Sequence, residues 1–180
     1  MRYTLEQSWF PNFFFANKAS APLWFVVRMY VGYEWLVAGL DKVANPAWFG
    51  SDAGAAMKGF VTGALSKTTG AHPDVQMWYA GFLKGAVLPH LVSWSNAIAV
   101  GEVLVGIGLI VGCVTGIAAF FGLFMNLNFM LAGTVSINPI LFTLSIFLIL
   151  AWRVAGYWGL DRYVLPRLHR GLRIRGRSSP

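Results

Sequence analysis

Four runs of predominantly apolar residues dominate this chain: about Leu23 to Leu40, Ser95 to Gly112, Ile117 to Ile137 and Ile140 to Trp158. A hydrocarbon core takes about 20 apolar residues per helix, so each run has close to the length of a membrane span. Lipid satisfies no free backbone groups, which leaves helices and closed barrels as the spanning structures. The runs are continuous and lack the alternation of barrel strands. Of the 180 residues 57% are hydrophobic and only 12% charged, against about 25% charged in a soluble domain. The reading is an all-α fold, an integral membrane four-helix bundle over residues 23–160.

The breaks between runs carry turn formers: Cys113-Val114-Thr115-Gly116, then Ser136-Ile137-Asn138-Pro139, with Pro139 suited to a first helical turn. Short links imply antiparallel neighbours. One connection is long, residues 41–94. Its apolar residues recur at helical spacing from Ser51 to about Leu65 and from Val75 to about Leu88. That pattern predicts short amphipathic helices lying on the membrane face as an ordered cap. Residues 1–22 read as an interfacial segment with the Trp9 to Phe15 aromatics at headgroup depth. Ala19-Ser20-Ala21 looks like a cleavage site, but the preceding apolar stretch is too short for a signal peptide.

Charge sets the expected topology. There are 14 Lys+Arg against 7 Asp+Glu, a net +7, and Arg162, Arg167, Arg170, Arg173, Arg175 and Arg177 crowd the last nineteen residues. This clustering argues against a nucleic-acid face and for anionic lipid at a basic tail, residues 161–180. By the positive-inside rule both termini are cytoplasmic and the long loop is extracytoplasmic. The expected location is a bacterial or archaeal cytoplasmic membrane. Asp161 and Arg162 are expected in water and Arg153 as an interfacial anchor. The single cysteine, Cys113, excludes an intrachain disulfide, a self-contained iron–sulfur cluster and a cysteine zinc site. His72, His90 and His169 are too scattered for a haem pair within the spans. No flavin, metal or phosphate-loop motif is present.

Charged groups at mid-span cost about 2.5–3.5 kcal/mol each on insertion scales. Arg28, Glu34 and Glu102 therefore need partners or a polar cavity. Arg28, Trp35 and Lys42 share one face of the first helix, and Gly32 and Gly39 form a small stripe that admits a neighbouring backbone. Asn126 and Asn128 add amides on the third. The expectation is one interior network joining Arg28 and Glu34 to Glu102, Asn126 and Asn128. It reads either as a structural device holding the bundle in register or as a pocket for a quinone head group. In the second reading Glu34 and Glu102 exchange protons, and Arg28, Trp35, Lys42, Asn126 and Asn128 bind the quinone.

The run Arg28-x-x-x-Gly32-Tyr33-Glu34-Trp35-Leu36-Val37-Ala38-Gly39-Leu40-Asp41-Lys42-Val43 leads into Asn45-Pro46-Ala47-Trp48. Gly101-Glu102-Val103-Leu104-Val105-Gly106-Ile107-Gly108, Thr115-Gly116-Ile117, Asn126-x-Asn128-Phe129 and Asn138-Pro139 follow. Together these resemble the DoxX/DoxD family of small four-helix membrane proteins, over about Leu23 to Pro166. The resemblance implies a place beside the quinone pool, as a membrane subunit of a quinone-linked oxidoreductase passing electrons from a sulfur compound such as thiosulfate. It carries over as a pattern to Arg28, Gly32, Gly39, Lys42, Glu102, Asn126 and Asn128, without catalytic roles. Other protein subunits and membrane lipid are the expected partners. The chain would not act alone, since it has no appended partner domain and no redox group of its own. The alternative is a non-enzymatic subunit that anchors a larger electron-transfer complex.

Overall fold

Pro22 in the first turn of one helix and the Asn45-Pro46 pair after its end bracket the longest uninterrupted α-helix of the molecule. The structure is a computed structural model, and it describes residues 9–167. The arginines expected at positions 170, 173, 175 and 177, and His169, lie outside the described residues. The described residues carry, in order, α1 (Trp9–Ala16), α2 (Ala21–Ala44), α3 (Ala55–Ser66), α4 (Met77–Phe82), α5 (Leu91–Val111), α6 (Thr115–Leu131), α7 (Asn138–Leu150) and α8 (Trp152–Ala155). A last helical stretch covers residues 161–167, and no strand occurs among the described residues.

The apolar runs and the helices differ in three places. The second run does not start a helix afresh. A π turn over Leu83–Val87 and a 3-10 turn over Leu88–His90 join α4 to α5, giving one helical run, Met77–Val111, of 35 residues. It is long and apolar enough to cross a membrane, and among the described residues it alone meets both criteria. Pro89 marks its irregular turn, and Trp94 Nε1 donates back to Ala86 O across it at 3.0 Å. The third run was expected to reach Ile137, but α6 ends at Leu131. Gly133 and Ser136 adopt φ of +73° and +41°, which no helix continues. The fourth was expected to reach Trp158, but α7 stops at Leu150 and a bend at Ala151 starts the short α8. Hydrophobicity alone does not register such backbone breaks.

α2, α5, α6 and α7 form a four-helix bundle. α2 packs most extensively on α5 and α6 on α7, and contacts of α5 with α6 and α2 with α7 close the ring. The α2–α5 crossing is tight because glycines leave backbone exposed at it. A Cβ on Gly39 would lie 2.6 Å from Val103 N, and one on Gly106 would lie 2.6 Å from Leu36 N. The bundle core includes Val31, Trp35, Leu109, Ala119 and Leu148. A second core, with Met57, Val61, Tyr79 and Leu83, seats α3 and α4 as a cap over one end. That end is called the cap end and the opposite one the tail end.

Candidate functional site

Lys42 occupies the last turn of α2, where a cation also complements the helix dipole. Its ammonium reaches across to α5 and meets Glu102 at 2.7 Å. Glu102 is 1% exposed and Lys42 21%, so the carboxylate is sealed inside and the lysine forms its lid. Nζ also lies 3.5 Å from Ala38 O and 5.4 Å from the centre of the Trp48 ring. The chain after α2 fixes that ring. Asn45 Oδ1 accepts from Ala47 N at 3.0 Å, a turn that asparagine favours, and Ser95 of α5 donates to Trp48 O at 2.6 Å.

The ion pair sits in a cleft of about 430 Å³. Trp35, Trp48, Phe60 and Phe129 give it aromatic walls, while Glu34, Asp41 and Asn138 add polar ones. Val37 and Ile137 at its mouth lie on the exposed apolar surface of the bundle. A space of this size falls in the usual range for small-molecule sites, with few polar groups among apolar walls. Of the expected site residues, Glu34, Trp35, Lys42 and Glu102 converge here.

Arg28 does not join them, which corrects the single-network expectation. It lies fully buried near the tail end. Its guanidinium donates to Leu109 O at 2.8 Å, in the last turn of α5, and to Trp158 O at 3.3 Å. Gly112, at φ +68°, ends α5 beside it, where any side chain would collide with the guanidinium. Arg28 and Lys42 share a helix face but stand fourteen residues apart, about 21 Å along the axis. Asp161, expected in water, is instead 2% exposed. Its carboxylate accepts from Val114 N at 2.6 Å and Thr115 N at 2.9 Å, capping the start of α6. The tail end is thus clasped by a buried arginine, bonded to one carbonyl of α5 and one of the turn after α8, and by a buried carboxylate on the amides that start α6. Arg162 is exposed, stacked over Tyr163.

Asn128 also stands apart from the ion pair. It lines a separate, mostly apolar chamber of about 90 Å³ under the cap. The Tyr79 hydroxyl lies 3.0 Å from its carbonyl and 3.1 Å from its Oδ1, and its Nδ2 donates to Phe124 O at 2.8 Å. Its hydrogen bonds are therefore spent within the protein. Asn126 is fully buried in the bundle, and neither atom of its amide has a hydrogen-bond partner among the described residues.

Trp48, Phe60, Phe129 and Asn138 also line the cleft and were not among the expected site residues. Trp48 and Asn138 fall within Asn45-Pro46-Ala47-Trp48 and Asn138-Pro139, two pieces of the resemblance pattern, but what these segments face is visible only in the fold. Among the described residues no group of three or more His, Cys, Asp or Glu is placed to hold a metal ion. No family model, curated protein or solved structure matches the chain.

Proposed function

We propose that the chain is a four-span membrane protein whose cleft at Lys42 and Glu102 receives the head group of a quinone, as the membrane subunit of a quinone-linked oxidoreductase. The observation that carries this reading is a half-buried ion pair, its carboxylate fully buried, framed by four aromatic side chains and opening beside exposed apolar residues. A quinone ring is flat and apolar with two carbonyl acceptors. Trp35, Trp48, Phe60 and Phe129 offer stacking surfaces. The Lys42 ammonium has three N–H groups. One is held by Glu102, and another is available to a quinone carbonyl.

Reduction of a quinone to its quinol takes two electrons and two protons. Two electrons would come from a donor held by a partner subunit. The two protons would pass through the cleft, with Glu102 and Glu34 as the carboxyl groups on its wall. Lys42 would polarise the carbonyl that gains the first negative charge. The likeness to DoxX/DoxD proteins supports the same reading and proposes a sulfur compound such as thiosulfate as the donor.

The four spans would be α2, α5, α6 and α7, with both termini cytoplasmic and the cap outside. α6 has 17 residues and α7 has 13, about 26 and 20 Å at 1.5 Å per residue, short of an average hydrocarbon core. α8 after the bend, and local thinning of the bilayer, would make up the difference. Mass spectrometry of the native complex from mild detergent tests the function. Bound quinone and a redox partner are expected, with quinone lost in Glu102→Gln. A complex that carries quinone only in other subunits would leave this chain as an anchor.

A further inference from the structure

Directly beneath the cleft lie three polar side chains with atoms that find no partner among the described residues. Trp35 and Leu141 belong to the cleft wall, as does Phe129. One turn deeper than Leu141 on α7 is Ser145, and one turn deeper than Phe129 on α6 is Asn126. Both are 0% exposed. Among the described residues Ser145 Oγ, both atoms of the Asn126 amide and Trp35 Nε1 have no hydrogen-bond partner.

These groups come from three helices and lie within about one helical turn of one another in depth. α6 and α7 are antiparallel across the 132–137 link. Asn126 stands five residues before the end of α6 and Ser145 seven residues after the start of α7, about 8 and 10 Å from the link. Trp35 of α2 points its Nε1 at α6, where a Cβ on Gly122 would come within 3.0 Å. Gly122 is one turn deeper than Asn126 on the same buried face, and the absence of a side chain there leaves room for the indole beside it. The surroundings are otherwise apolar, with Ala119 and Leu148 both 0% exposed. Buried polar groups in native proteins are satisfied almost without exception, by protein or by ordered water. Of the seven such atoms among the described residues, four belong to these three side chains, while Arg28 Nε, Asn96 Oδ1 and Thr115 Oγ1 lie elsewhere. Donors (the indole N–H, the amide NH₂, the hydroxyl) and acceptors (the amide oxygen, the hydroxyl) are both present, and an internal water takes such a mixed set, typically two to four partners.

We infer that Trp35, Asn126 and Ser145 form a water-binding site that continues the cleft into the middle of the bundle. The inference deepens the proposed function. Water at this level would give Glu102 and the cleft a hydrogen-bonded route inward, below the point where a bound ring closes the mouth.

The test uses the whole chain in lipid vesicles and needs no quinone. Cys113 is the sole cysteine, so Cys113→Ser gives a clean background. Ser145→Cys, a near-isosteric change, is compared with Leu148→Cys in the dry core and Leu127→Cys on the exposed apolar face. A small cationic methanethiosulfonate reacts with thiolate, which forms only in water. Ser145→Cys is expected to react at least tenfold faster than either control. In parallel, water-edited solid-state NMR follows magnetisation from water to the Trp35 indole, assigned by its loss in Trp35→Phe. A Ser145→Cys thiol as inert as Leu148→Cys, or an indole signal that receives nothing from water, overturns the inference. Quinone binding is measured separately, so a dry site leaves the cleft reading standing, and a hydrated site without quinone binding removes the cleft reading alone.

Discussion

Lys42 Nζ and Glu102 Oε2 stand 2.7 Å apart across the α2–α5 crossing, with the carboxylate 1% exposed. Burying two charges is costly, and the mutual attraction offsets that cost only while both remain. Lys42→Met leaves Glu102 buried without its cation, which is expected to destabilise the protein by on the order of 2–3 kcal/mol. Pairing it with Glu102→Leu should restore most of that loss. Thermal unfolding of the three variants in detergent checks this. Full stability of the single Lys42→Met variant would mean the pair is not formed in the native protein.

The tight α2–α5 crossing gives a second expectation. A Cβ on Gly39 or Gly106 would press on backbone nitrogens, which cannot swing away as a side-chain tip does. Gly106→Ala should therefore cost about 1–3 kcal/mol, the usual range for overpacking. Gly63 of α3 has nothing within 4 Å of its Cβ position. There the helix preference dominates, and Gly63→Ala should stabilise by about 0.5–1 kcal/mol. Opposite signs in the unfolding midpoints are the expected result.

At the tail end, Asp161 caps the start of α6 through Val114 N and Thr115 N. Asp161→Ala removes both acceptors and is expected to cost about 1–2 kcal/mol. Asp161→Asn keeps one acceptor oxygen and should lose less. Arg28→Met, which frees Leu109 O and Trp158 O, should release the segment after α8. Limited proteolysis near Trp158 reads that directly, and unchanged cleavage would show that the clasp does not hold the segment.

Topology is open to a labelling test. Cys113 lies in the α5–α6 link at the tail end. A membrane-impermeant maleimide should reach it only from the cytoplasmic side. Lys58→Cys on exposed α3, in a Cys113→Ser background, should label only from the opposite side. Labelling of both positions from one side would contradict the four-span arrangement.

The all-helical class was legible because apolar runs and turn formers leave little else for such a chain. Helical phase correctly grouped Arg28, Trp35 and Lys42 on one face of α2 and marked Gly32 and Gly39 as a contact stripe. The pairing within the site was not legible. Phase gives direction around an axis and says nothing of the level at which a second helix meets it. The antiparallel run of α5 was the unused signal. With Gly39 against Val103 and Gly32 against Ile110, Lys42 falls opposite the start of the Glu102 turn and Arg28 opposite the α5 terminus. Asp161 was missed because a charged residue beyond the last apolar run reads as solvated, and only the fold reveals that α6 begins beside it. The early ends of α6 and α7 reflect backbone breaks at Gly133, Ser136 and Ala151 that hydrophobic residues conceal.

The central claim is that a quinone carbonyl is held by Lys42 in the cleft. Infrared difference spectroscopy with a ¹³C-carbonyl-labelled benzoquinone, added to the reconstituted chain, tests it most directly. A hydrogen bond from an ammonium weakens the carbonyl bond, so one labelled carbonyl band should shift to lower frequency in the wild type and return to its free position in Lys42→Met. A band at the same frequency in both proteins would contradict the account.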